Sequence, residues 1–234
     1  MVFVDYDNLA RSDRHKGAKY VIDRILQCLG PAWFVDGRAQ FRLYGGWYER
    51  NSPSRRGQKI AAELQQAFPG LVAATASPNV QPVRVVAELA YSLAAEPLRH
   101  LFHTFRKRGI PQGLRCEDPV AMGCSDPACP LTVVYDFVNT GICPSPACQT
   151  RAEDLLYRNE QKLVDTMMTV DIVHYAHSGV GQVCVVSSDD DLWPAIRSAL
   201  LIGTRVIHIH TKPGHATPIS YSGGLGPEYV QKRI

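Results

Sequence analysis

No stretch of this sequence approaches the ~20 consecutive apolar residues that cross a bilayer. Neither sign of charge dominates: 25 Lys and Arg stand against 22 Asp and Glu, a formal net charge of +3. The first absence argues against a membrane-spanning helix. The second excludes a strongly basic nucleic-acid coat, though not a local basic patch. The opening Met1-Val2-Phe3-Val4-Asp5 lacks the basic start and long apolar core of a secretory signal, so a cytoplasmic protein is expected. In that compartment the seven cysteines point to thiols or metal rather than disulfides. What is present is ordinary globular composition, 45% hydrophobic and 20% charged over 234 residues. That is enough chain for one domain with a sizeable insertion and for burial of roughly 70% of the unfolded surface.

Val2-Phe3-Val4 and Val183-Cys184-Val185-Val186 are bare apolar runs, the pattern of parallel strands buried on both faces. Residues 18–29 carry apolar positions at helical spacing and stop at Gly30-Pro31. Residues 39–48 and 205–209 read as strands, 57–67 and 192–202 as helices, and 152–176 as one long helical stretch. Residues 83–93 fit either a strand or a short helix. Alternation of this kind predicts an α/β fold, a parallel sheet flanked by helices. Residues 110–150 differ: they hold five of the seven cysteines and six of the sixteen prolines. The expected organisation is a domain of residues 1–109 and 151–234, interrupted by a Cys-rich insertion over 110–150.

Both bare runs end in acids, Asp5 and Asp7 after the first and Asp189, Asp190 and Asp191 after the second. In an open parallel sheet, sites lie beyond the carboxyl ends of the strands. Clustered carboxylates repel one another unless a cation joins them, and oxygen ligands suit hard ions such as Mg²⁺ or Mn²⁺. The plainer reading is helix capping, with Asp191 before Leu192-Trp193-Pro194 as the N-cap. Lys162, Asp165 and Thr169 stand at i, i+3 and i+7, one face of the predicted helix, and Asp171 points roughly 120° away from Asp165. Asp165 either joins the other acids or faces solvent.

Three motifs occur in order: Asp5-Tyr6-Asp7-Asn8, Lys162-Leu163-Val164-Asp165 with Asp171, and Ser187-Ser188-Asp189-Asp190-Asp191 followed by Pro194. Together they resemble the NYN domain family of PIN-like nucleases over roughly residues 1–50 and 152–210. The sequence departs from the family's usual Gly at Ser188 and aromatic at Leu192. The resemblance implies a PIN-like fold and a metal-dependent ribonuclease that cuts RNA phosphodiesters. It implies that Asp5, Asp165, Asp189 and Asp191 hold Mg²⁺ or Mn²⁺, that Asn8 orients Asp5 or touches the phosphate, and that Ser187 bonds a carboxylate or the substrate backbone. Lys162 pairs with this cluster, with a phosphate, or in a structural ion pair. Two other readings remain: a non-catalytic RNA-binding or protein-interaction module on the same fold, and a phosphatase of the haloacid-dehalogenase kind with Asp5 as nucleophile and Asp7 as acid.

Cys124-Ser-Asp-Pro-Ala-Cys129 and Cys143-Pro-Ser-Pro-Ala-Cys148 are near copies. Two such pairs present four thiolates to a structural Zn²⁺, with Cys116 as a possible substitute ligand and loose free thiols as the bland alternative. Cys28 and Cys184 read as core residues. Basic residues suited to an RNA backbone follow the first acidic loop (Arg11, Arg14, Lys16, Lys19), recur at Arg50, Arg55, Arg56 and Lys59, and recur again over 99–115. In that last stretch Arg99, Arg106, Lys107, Arg108 and Arg115 are interleaved with His100, Phe102, His103 and Phe105. His208 and His210 share one face of a strand and are not read as metal ligands. RNA is the expected partner, a membrane is not, and self-association stays open.

Overall fold

The computed structural model describes residues 1–34, 36–73, 82–110, 113–126 and 128–234. In chain order the elements are β1 (Val2–Asp5), α1 (Arg11–His15), α2 (Ala18–Leu29), β2 (Arg38–Tyr44), β3 (Tyr48–Glu49), β4 (Ser52–Pro53), α3 (Arg55–Ala67), β5 (Gly70–Val72), β6 (Val83–Leu89), β7 (Phe105–Arg108), α4 (Pro130–Thr140), α5 (Ala152–Leu155), β8 (Arg158–Gln161), α6 (Val164–His177), β9 (Gln182–Val186), α7 (Trp193–Leu201), β10 (Arg205–His210), α8 (Ile219–Ser222) and β11 (Tyr229–Arg233). The chain divides into two compact units, Met1–Phe105 with Gln161–Ile234 and Arg106–Glu160. The expected insertion, 110–150, lies inside the second. No helix among the described residues is long and apolar enough to cross a membrane.

The first unit is an α/β fold around a seven-stranded sheet of order β11-β10-β9-β1-β2-β6-β5. Its neighbours are parallel, apart from the antiparallel pair β5 and β6. Period-2 alternation along β1 divides the core. Val2 and Val4 pack with the apolar face of α2 (Ala18, Val21, Ile22, Ile25, Leu26, Leu29) and with Ile60 and Leu64 of α3. Phe3, on the other face, packs with Met167, Met168 and Ile172 of α6 and Ala195, Ile196 and Ala199 of α7. Each fully buried large side chain there contributes roughly 1.5–3 kcal/mol. Helix α2 stops at Gly30, whose φ of +78° suits glycine.

Three element predictions need correction. The strand read over 39–48 ends at Tyr44, because Gly45 and Gly46 follow and the chain folds back so that the Trp47 ring covers Gly45. A Cβ at Gly45 would lie 2.8 Å from that ring. The helix read over 152–176 is three pieces, α5, β8 and α6. Leu163, in the left-handed region at φ +68°, breaks it, so Lys162 precedes α6 and shares no helical face with Asp165 and Thr169. Helix α7 is entered through a 3₁₀ turn capped by Asp189, whose carboxylate accepts from the Asp191 backbone N–H; Asp191 is therefore not the cap. The ambiguous 83–93 segment is strand β6 over Val83–Leu89.

A candidate acidic active site

β1 lies between β9 and β2, so the chain leaves it toward one edge of the sheet and later returns to its other side. That makes the carboxyl ends of β1 and β9 a topological switch point, where crevices form in such sheets. Val4 pairs in register with Val186, which sets Asp5 beside Ser187. The buried Asp5 carboxylate accepts from the Ser187 hydroxyl at 2.9 Å and from the Asn8 backbone N–H at 3.2 Å. Burial pushes the Asp5 carboxyl up to about 7; the two hydrogen bonds oppose that rise, while the nearby charges of Asp165 and Asp7 add to it.

Asp165 arrives from the first turn of α6, where an acid suits the helix dipole. Although exposed, its carboxyl is also raised, first by desolvation and then by the charges of Asp189, Asp191 and Asp7. Asp189 is half-buried and Asp191 exposed. Four acids from three distant segments thus share one electrostatic neighbourhood. Among the described residues no three His, Cys, Asp or Glu side chains are set around one point as metal ligands. The donor set is nevertheless all hard oxygen, and the raised Asp5 and Asp165 carboxyls are what an added cation would relieve.

The loop holding these acids is anchored. Asn8 Oδ1 accepts from the Ser188 backbone N–H at 2.9 Å and from the Thr211 hydroxyl at 2.5 Å, so its side chain ties the ends of β1, β9 and β10 together. Only its backbone N–H touches Asp5. Ser188, where the resembled family has Gly, is buried, and its hydroxyl accepts from the backbone N–H groups of Thr211 and Lys212. The Ser187 hydroxyl accepts from the Asp189 N–H, and the Ser187 carbonyl accepts from His208 Nε2 at 3.0 Å. Burial first, then the neighbouring His210, lowers His208 to about 3, so it stays neutral. Thr211 and His208 were invisible as site residues in the sequence, because neither stands in an acidic motif.

Asp7 belongs to a different arrangement. It accepts from Arg14 at 3.2 Å, from Arg56 at 2.6 Å and from the Gly46 N–H at 3.1 Å. Asp171, expected to diverge from Asp165, is fully buried and accepts from Arg42 Nε, the Tyr44 hydroxyl and the Ala94 N–H. Its place is structural. Arg11 and Lys16 are exposed, with Lys16 against Tyr20; Lys162 is half-buried, and its backbone N–H donates to the Thr104 carbonyl. In the 99–115 stretch Arg99, His100, Phe102 and Arg115 are exposed; the side chains of Phe105, Arg106, Lys107 and Arg108 lie outside those described. Cys184 is buried and Cys28 half-buried.

In the second unit the thiols meet in pairs. A hydrogen bond with the Leu131 backbone, then one with Cys124, lowers Cys129 below the ordinary thiol value. The Thr150 side chain and backbone, then Cys143, lower Cys148, whose Sγ lies 3.2 Å from Thr150 Oγ1. Lowered thiols favour the thiolate form that binds metals. The Cys116 backbone bonds reciprocally with the Asn139 side chain.

Compared with known proteins, the chain matches no protein-family model, no curated protein and no solved structure.

Proposed function

We propose that the chain is a metal-dependent ribonuclease with a PIN-like fold, hydrolysing RNA phosphodiester bonds at the carboxyl ends of β1 and β9. The observation that carries this reading is the buried Asp5 carboxylate, held by Ser187 and Asn8 at the β1–β9 switch point and raised first by burial and then by the neighbouring Asp165, which in turn feels Asp189 and Asp191. A buried carboxyl beside like charges is costly to keep ionised, and such arrangements mark functional sites. In this reading Asp5, Asp165, Asp189 and Asp191 hold Mg²⁺ or Mn²⁺. A cation so held supplies a lowered water pKa and neutralises charge on phosphoryl oxygens. Ser187 and the Asn8 backbone fix the Asp5 carboxylate, and the Asn8 side chain holds the loop that carries Asp189 and Asp191. Arg11, Arg14 and Lys16 provide the nearby positive field for an RNA backbone, with Lys162 before α6 as a further cation.

The phosphatase alternative is weakened by Asp7, whose carboxylate is clamped by two arginines and is poorly placed to act as a general acid. The second unit, in the same reading, uses Cys124, Cys129, Cys143 and Cys148 for a structural Zn²⁺. Four sulfur donors with lowered or paired thiols fit that ion chemically.

The test is Asp189→Asn in the purified 234-residue chain, assayed on mixed-sequence RNA with Mn²⁺. Loss of cleavage by at least about 10²-fold with RNA binding retained supports the nuclease. Wild type and variant that bind RNA equally and are both inert establish the binding module instead.

A further inference from the structure

A second polar feature lies beside the acidic cluster. Tyr6, Arg11, Arg14, His15, Arg56, Lys59 and Ile60 line a cavity of about 410 Å³. Four cationic side chains line it, and the carboxylates that touch them are Asp7 and Glu63, the latter 3.8 Å from Lys59. Two donors there have no partner among the described residues. Tyr6 is 1% exposed, and its hydroxyl is buried without a hydrogen bond; Arg14 Nε is buried and equally unpaired, because Arg14 reaches Asp7 through Nη1. Buried donors of this kind are rare in folded proteins unless something accepts from them.

An acceptor with several oxygens and more than one negative charge suits a cavity lined by four cations and bordered by two unpaired donors. A terminal phosphate monoester is such a group: close to two negative charges at neutral pH and three free oxygens, against one charge on an internal phosphodiester. Arginine forks match its geometry. The cavity also shares a backbone segment with the acids. Asp5 and Asp7 flank Tyr6, and the Asp7 carboxylate, which orients Arg14 and Arg56, contributes to the charge felt at Asp5.

We propose that this pocket binds the terminal phosphate of the RNA, setting the chain end beside the acidic cluster so that phosphorylated ends are preferred substrates. The proposal takes its RNA from the nuclease reading, but its phosphate from the pocket alone.

The experiment measures binding by fluorescence polarisation, on the full chain without added divalent cation, so that it does not depend on cleavage. The probes are one short RNA sequence bearing a 5′-phosphate, a 3′-phosphate or hydroxyls at both ends, with inorganic phosphate and a nucleoside monophosphate as competitors. One phosphorylated end should bind about tenfold more tightly than the hydroxyl form, the value of one strong charge-assisted contact. Arg11→Ala combined with Lys59→Ala should remove that preference. Tyr6→Phe should lower it roughly threefold without lowering Tm, because the hydroxyl it deletes bonds nothing among the described residues. A water-filled structural cavity would leave the preference absent or untouched by Tyr6→Phe, and either result overturns the proposal. Binding of inorganic phosphate with no advantage to phosphorylated RNA ends also overturns it. Cleavage of hydroxyl-ended RNA in Mn²⁺ is scored separately: a phosphate preference without cleavage leaves the pocket standing and removes the nuclease, and cleavage indifferent to the RNA end together with equal binding does the reverse.

Discussion

All four residues of β1 are buried, whereas among the described residues of 106–160 only Pro119 and Ala152 are. Helix α4 buries none of its residues, and leaves Leu131, Val133 and Val134 open to water. Its ends are well formed: Pro130 opens it, and Gly141 closes it in the left-handed conformation at φ +74°. Beyond it, Ile142 and Arg151 form an isolated antiparallel bridge. The difference teaches where each unit gets its stability. The sheet unit rests on apolar burial over two faces. The cysteine unit has turns, caps and paired thiols but, among its described residues, no apolar core, and units of its size without one generally need a metal or disulfides. All seven cysteines are free thiols here.

The largest effect expected from this contrast is on metal removal. Purified protein should carry close to one zinc per chain, and structural zinc is worth roughly 10–16 kcal/mol in small metal-folded domains. Stripping it, or Cys124→Ser, should bring amide exchange over 106–160 to unprotected rates while β1, β2 and β9 stay protected. Absence of zinc with unchanged exchange in Cys124→Ser would remove the metal from the account. Next comes a matched pair of truncations read by denaturant unfolding. Phe41→Ala, in the centre of the sheet, should cost about 3–5 kcal/mol, and Val133→Ala on α4 should stay within about 0.5 kcal/mol. Equal costs would mean that the second unit has a core after all.

The smallest and most conditional effect concerns the charge that the sheet unit tolerates at its site. A carboxyl raised in the native state is held more tightly protonated there than in the unfolded chain. Its contribution is therefore fully present at acid pH and is lost as pH climbs from about 4 to about 7. With no divalent cation, that loss amounts to about 2–4 kcal/mol at 1.36 kcal/mol per unit, the upper end being the unscreened value. His208, held neutral, titrates in the same window with the opposite sign, and Asp165 adds to the Asp5 effect, so the test is the difference: the slope of Tm against pH should be more negative in wild type than in Asp5→Asn, and saturating Mn²⁺ should remove that difference. A slope unchanged by Asp5→Asn would assign the titration to another group.

Much of the sheet unit was legible residue by residue. The apolar period of 18–29 gave the bounds of α2, and the bare runs marked β1 and β9, because continuous burial on both faces leaves a continuous apolar record. The acids after those runs were legible for the same reason: polarity resumes where the strand leaves the core. The break at Leu163 left no such record, since a left-handed residue between two apolar stretches looks like helix to any periodicity. The Asp7 clamp was also hidden. Arg14 and Arg56 stand 7 and 49 residues away, and only the packing of α1 and α3 beside β1 brings their guanidinium groups to one carboxylate.

By itself, then, the sequence determined the alternation of strands and helices, the residues that face the core and the positions at which acids and thiols cluster along the chain. Those are local consequences of burial and spacing. Strand order, the meeting of Asn8 with Thr211, the pairing of Asp171 with Arg42 and Tyr44, and the Tyr6 hydroxyl left unpaired among the described residues were decided by tertiary structure alone. Each depends on which distant segments pack together, and pairwise contacts across so many residues leave no periodic trace.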